Sequence, residues 1–208
     1  MIYFSGMAWY VRDSPVRSNP GPNLYSDSPK NVWVDSDGRL HLKITRRGRN
    51  WYCAEVIAAD SLGYGTYRFY LDSAVGAFDP KVVAGFFTWN DDPAYNNREL
   101  DIEFSRWGRA ADPNAQFVVQ PYDGENNILH FVQPSVAQST HTFVWQPNAV
   151  DFSSVHGADV IAQWSAYEGI PIPGGETPHI NLWLYEGKAP VNRSEVELIV
   201  NRFEFIPD

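Results

Sequence analysis

The chain has 208 residues, of which 44% are hydrophobic and 15% aromatic, and its formal net charge is −9 at pH 7. This length suits one domain with a substantial core, so residues 1–208 are predicted to form a single domain. The acidic balance excludes a nucleic-acid partner, which requires a basic surface. No apolar run reaches the ~18 residues of a membrane-spanning helix, so no membrane insertion is expected.

The cysteine and aromatic content narrows the class of protein further. Cys53 is the only cysteine, so an intramolecular disulfide is excluded. Eight tryptophans exceed the needs of a core of this size, and some are expected on a binding face where sugar rings stack. A neutral polysaccharide fits the negative charge best. The first residues lack the pattern of a signal peptide, which leaves either an intracellular protein or one whose leader was removed.

Taken in order, residues 1–35 are rich in Pro, Asn, Ser and Gly and are predicted to be irregular. Short apolar or alternating runs separated by turn residues follow, and no helical period is found. Asp37-Gly38 predicts a hairpin. The predicted strands are Leu40–Arg46, Trp51–Ile57, Tyr64–Leu71, Val82–Trp89, Glu99–Ser105, Ala115–Tyr122, Ile128–Val132, Thr140–Gln146, Ala149–Val155, His179–Tyr185 and Glu195–Phe205. This spacing predicts an all-β sandwich or barrel.

One predicted strand has an unusual polar face. In the run that begins at Glu99, apolar residues alternate with three carboxylates, so period two brings Glu99, Asp101 and Glu103 to the same side. Neighbouring carboxylates repel one another, and at least one is expected to stay protonated near neutral pH. The alternatives are a solvated acidic edge and a calcium site, although calcium ligands usually come from loops.

A protonated carboxyl group beside an ionised one is what glycosidic bond cleavage requires. One group donates a proton to the leaving oxygen, while the other attacks the anomeric carbon or activates water. Four residues at ~3.3 Å each separate the Cα atoms of Glu99 and Glu103 by roughly 13 Å. Side chains that lean inward could bring the carboxylates to the ~5–5.5 Å of a retaining enzyme or the ~6.5–9.5 Å of an inverting one, and the sequence does not choose between them.

The stretch "ELDIEF" resembles the signature of glycoside hydrolase family 16, in the variant without a bulge that is typical of lichenases. The segments "NVWVDSDGRLHLKI", "CAEVIAADSLGYGTYRFYL", "GFFTWN", "HTFVWQP" and "INLWLYEG" resemble other family motifs in the same order. This resemblance implies a concanavalin A-like β-jelly-roll sandwich of two antiparallel sheets with a concave cleft. It also implies a location outside the cytoplasm, extracellular or periplasmic, and we expect a monomer.

The resemblance also implies roles for individual residues. Glu99 would be the nucleophile, Glu103 the general acid/base, and Asp101 the group that orients the nucleophile. The predicted substrate-binding residues are Glu55, Trp89, Gln116, Gln120, Tyr122, Asn181 and Trp183. Gln116, Gln120 and Tyr122 are also predicted from alternation in their own strand, because amides and phenols bind sugar hydroxyls.

Several positions depart from the family pattern. Ile57 stands where an arginine is expected, Asn97 stands where a stacking tryptophan is expected, and Trp89 is the candidate replacement for that ring. In lichenases a cysteine at the position of Cys53 often has a disulfide partner upstream, where this chain offers Tyr25 or a neighbour. No histidine or cysteine spacing indicates a catalytic metal, and no cofactor is predicted. A structural calcium ion stays open, although Asn201 replaces the aspartate expected for it.

These observations predict a retaining endo-acting hydrolase of a β-1,3/1,4-glucan. One alternative is a transglycosylase, in which a sugar hydroxyl replaces water in the second step. Another is a lectin-like module that binds glucan without cleaving it. The three carboxylates disfavour the lectin, whereas the departures at Ile57 and Asn97 favour it.

Overall fold

The computed structural model describes residues 1–95 and 98–208. They form seventeen strands: β1 (Ile2–Phe4), β2 (Met7–Val11), β3 (Ser14–Ser18), β4 (Asn23–Tyr25), β5 (Val32–Val34), β6 (Leu40–Arg47), β7 (Asn50–Ala58), β8 (Gly65–Leu71), β9 (Val82–Trp89), β10 (Leu100–Phe104), β11 (Ala115–Val119), β12 (Ile128–Phe131), β13 (Ser139–Gln146), β14 (Ala149–His156), β15 (Asp159–Ala166), β16 (Thr177–Leu184) and β17 (Val196–Pro207). The helices among these residues are three single-turn 3-10 helices: Val75–Ala77, Pro93–Tyr95 and Tyr185–Gly187. None of the described helices is long and apolar enough to cross a membrane.

Eight strands form the sheet that presents the polar cleft. Their order is β1–β2–β7–β16–β9–β10–β11–β12, and every neighbouring pair is antiparallel. The second sheet has the order β5–β6–β17–β8–β13–β14–β15, again antiparallel throughout. The predicted sandwich of two antiparallel sheets is therefore confirmed. The pairing of β4 with β7 is parallel and lies beside this main pattern.

The core lies between the two sheets and is rich in aromatic rings. Strand β8 alternates buried and half-buried residues along its whole length, as expected for a strand with one face on the core. Phe69 from β8 meets Phe86 from β9 at a ring-centroid distance of 5.0 Å, which joins the two sheets. Phe86 in turn contacts Phe104 at 6.0 Å, directly behind the carboxylate face of β10. These buried aromatic pairs hold β10, and with it the carboxylates, at a fixed distance from the second sheet.

Strands with alternating burial were predicted close to their observed bounds. The prediction Val82–Trp89 matches β9 exactly at both ends, and the hairpin predicted at Asp37-Gly38 joins β5 to β6, with Val34 opposite Leu40. The parallel pairing of β4 with β7 sets Tyr25 opposite Cys53, in agreement with the expectation that Tyr25 or a neighbour occupies the place of a partner cysteine.

Two predictions about irregular segments are wrong. Residues 1–35 contain five strands, β1 to β5, rather than an irregular segment. These strands are only three to five residues long, and the Pro and Ser content of β3 hides them. The second is the segment between the predicted strands Ala149–Val155 and His179–Tyr185, which was predicted to hold no strand and contains β15. This strand lies at the edge of its sheet, and its first four residues show no alternation of burial, whereas Ala162, Trp164 and Ala166 face the core and the residues between them are exposed.

Candidate active site

Strand β10 presents carboxylates on one face and core residues on the other. Leu100, Ile102 and Phe104 are buried between the sheets. Asp101 and Glu103 point to the opposite side, and Asp101 retains only 3% of its accessible surface. The strand is hydrogen-bonded on both sides, to β9 and to β11. The carboxylates are therefore held on a rigid central strand.

Glu99 lies one residue before β10, whereas the sequence predicted it inside the strand. Its backbone is nevertheless fixed, because the N–H of Gln120 donates to the carbonyl oxygen of Glu99 at 3.0 Å. The next amide, that of Leu100, donates to the hydroxyl of Thr88 at 3.2 Å. These two bonds hold the start of the strand between its neighbours.

The cross-strand register opens space beside Glu103. Its partner on β9 is Gly85, and the partner of Gly85 on β16 is Asn181. A Cβ atom on Gly85 would lie 2.6 Å from Oδ1 of Asn181, a distance that side-chain contacts do not reach. Glycine therefore lets the Asn181 amide approach the sheet backbone next to Glu103.

The three carboxylates lie in a cleft of about 490 Å³ on the concave sheet. Its walls include seven of the residues that the sequence predicted: Glu55, Trp89, Glu99, Asp101, Glu103, Asn181 and Trp183. The structure brings these residues together from β7, β9, β10, β16 and the segment before β10. It adds residues that were not predicted as ligands: Arg12, Asn19, Pro20, Ile57, Gly85, Phe87, Asp91 and His179.

Burial changes the acidity of all three carboxyl groups. Burial raises the pKa of Glu99 to about 7, a hydrogen bond from Asp101 opposes this rise, and the charges of Glu103 and Glu55 reinforce it. Burial raises the pKa of Glu103 to about 8, and the charge of Asp101 adds to the rise. The pKa of Asp101 is raised well above its ordinary value by burial and by Glu99. The hydrogen bond between the Asp101 and Glu99 side chains lowers the pKa of Glu99 and raises that of Asp101, so this pair shares a proton more readily than either carboxyl group would alone.

The two glutamines of β11 contact carboxylates. Nε2 of Gln116 donates to Oε2 of Glu103 at 2.7 Å, and Nε2 of Gln120 donates to Oδ2 of Asp101 at 3.0 Å. The sequence correctly assigned both glutamines to the carboxylate face. It predicted that they bind substrate; in this structure the amide groups of both contact the acidic residues.

The prediction that β11 extends to Tyr122 is wrong. The strand ends at Val119, so alternation no longer determines which way the later side chains face. The backbone N–H of Tyr122 donates to Oε1 of Gln120, and the Tyr122 side chain is 63% exposed and does not line the cleft. Asn97, where the stacking tryptophan is missing, lies outside the described residues. Trp89, the candidate replacement, is half-buried in the cleft wall and donates its indole N–H to Asp91 at 2.8 Å.

The far end of the cleft contains a charged group that the sequence did not reveal. Nη1 of Arg12 lies 2.6 Å from one oxygen of Glu55, and Nδ1 of His179 lies 2.8 Å from the other. Glu55 is 3% exposed and His179 is 5% exposed. Arg12 directly follows β2, and its backbone N–H donates to the carbonyl oxygen of Glu55 on β7; the sequence predicted no strand there and so gave no sign of this contact.

The side chains near Asn201 do not fit a calcium ion. The amide Nδ2 of Asn201 donates to Oδ2 of Asp72 at 3.1 Å, and a guanidinium nitrogen of Arg39 lies 3.5 Å from the same oxygen. A calcium site requires several oxygen ligands directed at one point, whereas two N–H donors are directed at this carboxylate. Among residues 1–95 and 98–208, no group of three His, Cys, Asp or Glu side chains is arranged to hold a metal ion.

The chain matches no protein-family model and no curated protein sequence. Solved structures do match. A β-glucanase of Bacillus licheniformis is 22% identical, with 100% of this chain and 95% of that chain aligned at a TM-score of 0.75. A prokaryotic β-1,3-1,4-glucanase (lichenase) from a mouse hindgut metagenome is 22% identical, with 99% of this chain and 96% of that chain aligned at a TM-score of 0.73.

A third similar structure is described differently. It is an immunostimulatory antigen and pseudo β-1,3-glucanase of Mycobacterium tuberculosis, 21% identical, with 96% of this chain and 91% of that chain aligned at a TM-score of 0.70. Coverage of nearly the whole of both chains in all three cases shows that this protein has the complete fold of these structures.

Proposed function

We propose that the chain is a glycoside hydrolase of family 16 that cleaves internal β-glycosidic bonds of a neutral β-1,3/1,4-glucan with retention of configuration. The observation that supports this most directly is the acidic trio on the cleft floor, in which Glu99 and Glu103 have different raised pKa values. The β-glucanases that share the fold support the same substrate class. We further expect a monomer that acts outside the cytoplasm.

In the first proposed step, Glu103 donates its proton to the glycosidic oxygen while the carboxylate of Glu99 attacks the anomeric carbon. The bond to the leaving sugar breaks, and a glycosyl ester forms on Glu99. In the second step, the Glu103 carboxylate takes a proton from water, and the oxygen of that water displaces Glu99 from the sugar. Each step inverts the anomeric centre, so the product keeps the β configuration.

The acidities support this division of roles. Burial raises the pKa of Glu99 to about 7 and that of Glu103 to about 8, and the hydrogen bond with Asp101 favours the ionised form of Glu99, so Glu103 is the better candidate for the protonated acid. The proton that Asp101 shares with Glu99 favours the ionised form of Glu99 and fixes its orientation. Asp101 donates no hydrogen bond to Glu103. Its negative charge instead raises the pKa of Glu103.

Azide rescue tests the assignment. With an aryl β-glycoside and azide, Glu103→Ala is expected to form the β-glycosyl azide, because azide replaces water in the second step. Glu99→Ala is expected to form the α-glycosyl azide, because azide enters from the vacated face. The anomeric configuration of each product is read by proton NMR. Glu125→Ala, which removes an exposed carboxylate outside the cleft wall, is the matched control and should retain normal turnover without azide products. Normal turnover in both cleft variants would refute the proposal.

Two alternatives are separated by the products. A transglycosylase would use the same two carboxylates but would lengthen oligosaccharides in preference to hydrolysing them. A glucan-binding module without activity is favoured by the pseudo-glucanase that shares the fold. It would bind laminarin or mixed-linkage glucan in affinity electrophoresis without releasing reducing ends.

A further inference from the structure

Arg12 is anchored at the end of the cleft by three hydrogen bonds. Nη1 donates to Oε2 of Glu55 at 2.6 Å, while Nη2 donates to the hydroxyl of Ser18 at 3.1 Å and to the carbonyl oxygen of Asn19 at 2.6 Å. The backbone amide of Arg12 also donates to the carbonyl oxygen of Glu55 at 3.0 Å. Both the main chain and the side chain are therefore fixed to β7 and to the β3–β4 turn.

The ring of Tyr25 supports the guanidinium from one side. The guanidinium carbon of Arg12 lies 4.0 Å from the centroid of this ring, in a cation–π contact. Tyr25 is fully buried, and its hydroxyl donates to the carbonyl oxygen of Pro20 at 3.1 Å. The tyrosine that pairs with Cys53 in the β4–β7 register thus holds Arg12 in one orientation. A preorganised side chain loses little conformational entropy when it binds a ligand.

The guanidinium keeps unused donors. An arginine has five N–H groups, of which three are engaged here, and those on Nε and the second position of Nη1 have no partner among the described residues. The Arg12 side chain is 24% exposed and lines the cleft. The neighbouring Glu55 carboxylate has both oxygens engaged, by Arg12 and His179, and its side chain is only 4% exposed. Arg12, rather than Glu55, is therefore the accessible polar group at this end.

We infer that Arg12 is a substrate-positioning residue that binds hydroxyl groups of a sugar three or four units from the cleaved bond. This inference deepens the proposed function and depends on it. Strand β7 lies three strands from β10, and β2 lies four strands away, which corresponds to ~14–19 Å at ~4.8 Å per strand. If one sugar unit spans about one strand spacing, roughly 5 Å, this distance corresponds to three or four units.

The charge balance around Arg12 indicates a neutral hydroxyl as its ligand. The carboxylate of Glu55 already neutralises the guanidinium at 2.6 Å, and the rest of the cleft is acidic. A sulfate or uronate group would be repelled by the Glu55 carboxylate and by the other acidic side chains that line the cleft. A neutral sugar hydroxyl accepts from the unused N–H groups without breaking that pair.

The test compares aryl β-glycosides of cello- or laminari-oligosaccharides with two, three and four sugar units, in which every sugar lies on the donor side of the cleaved bond. Arg12→Met removes the donors and keeps much of the side-chain length. We expect kcat/KM for the tetrasaccharide to fall roughly 10- to 100-fold, the range for hydrogen bonds to a charged group. For the disaccharide, kcat/KM should stay within about twofold of the wild type, because the site near Glu99 is intact.

Arg17→Met is the matched control. Arg17 belongs to the same β3 strand region, is exposed, donates to the carbonyl oxygen of Pro22 and does not line the cleft. It should behave as the wild type on all three substrates. Arg12→Lys keeps the charge but not the planar fork, and we expect it to recover only part of the loss on the tetrasaccharide.

The outcomes are distinguishable. If the wild type cleaves none of these glycosides, the proposed function fails. If the wild type cleaves them and Arg12→Met loses activity equally at every length, or at none, the inference about Arg12 is refuted while the proposed function stands. Activity on the disaccharide serves as the measure of folding, and circular dichroism of the Arg12→Met variant supplies a second measure.

Discussion

The hydrogen bond from Gln116 to Glu103 provides a quantitative test of the site's electrostatics. At 2.7 Å, this amide donates to Oε2 of a buried carboxyl group and lowers the pKa of Glu103. Gln116→Met removes the donor while keeping a side chain of similar length. Hydrogen bonds to charged groups contribute ~1.5–3 kcal/mol, and one pKa unit corresponds to ~1.4 kcal/mol. We therefore expect the pKa of Glu103 to rise by about one to two units from its value of about 8.

The assay is the pH dependence of kcat/KM, which reports the acid and base groups of the free enzyme. Glu103 acts as the acid in its protonated form, so a higher pKa extends the alkaline limb of the profile to higher pH. The acidic limb, which reports ionisation of Glu99, should move little. Gln120→Met is the matched control, because Gln120 lies on the same face but donates to Asp101 at 3.0 Å. An alkaline limb that coincides with that of the wild type would show that Gln116 does not set the acidity of Glu103.

Two further predictions concern stability. Glu103 has a pKa raised from 4.5 to about 8, so the stability it contributes is complete below 4.5 and is lost as the pH rises through 8. Glu103→Gln stays neutral at both pH values. It should melt near the wild type at pH 5 but roughly 10–20 °C higher at pH 9, since this rise in pKa corresponds to up to ~5 kcal/mol; calorimetry measures both melting temperatures. An equal difference at both pH values would contradict this linkage. Gly85→Ala should lower the free energy of unfolding by about 1–3 kcal/mol in chemical denaturation and also reduce activity, because the new methyl group would meet Asn181. An unchanged denaturation midpoint would contradict the close contact between Gly85 and Asn181.

The central strands could be predicted because each has one buried face. In β9 and β10, period two and turn residues at the ends determine both the bounds and the side that faces the cleft. The same rule correctly grouped Glu99, Asp101 and Glu103. It did not predict the hydrogen bonds of Gln116 and Gln120 to Glu103 and Asp101, because these contacts depend on the register of β11 against β10. Register is set by pairing between distant segments, which the composition of a single strand does not specify.

The N-terminal strands could not be predicted for a different physical reason. Strands of three to five residues offer too few positions for a period to be recognised, and β3 contains both Pro and Ser. They form because longer strands provide partners, as β7 does for β2 and β4. The position of Arg12 in the cleft depends on these pairings, because its side chain reaches Glu55 only when β2 lies beside β7. A site residue fixed by tertiary contacts of this kind has no local signature in the sequence.

The energetics of β10 bear on the proposal that the cleft cleaves glucan rather than only binding it. Asp101 is almost fully buried, and none of the three carboxylates forms an ion pair with a side chain in residues 1–95 or 98–208. Their raised pKa values mean that folding disfavours the ionised forms, so the trio lowers stability near and above neutral pH. Neutral amides would bind sugar hydroxyls equally well without this penalty. A group that must hold a proton in one step and release it in the next requires a carboxyl group with a raised pKa, so the destabilising arrangement favours catalysis over binding alone.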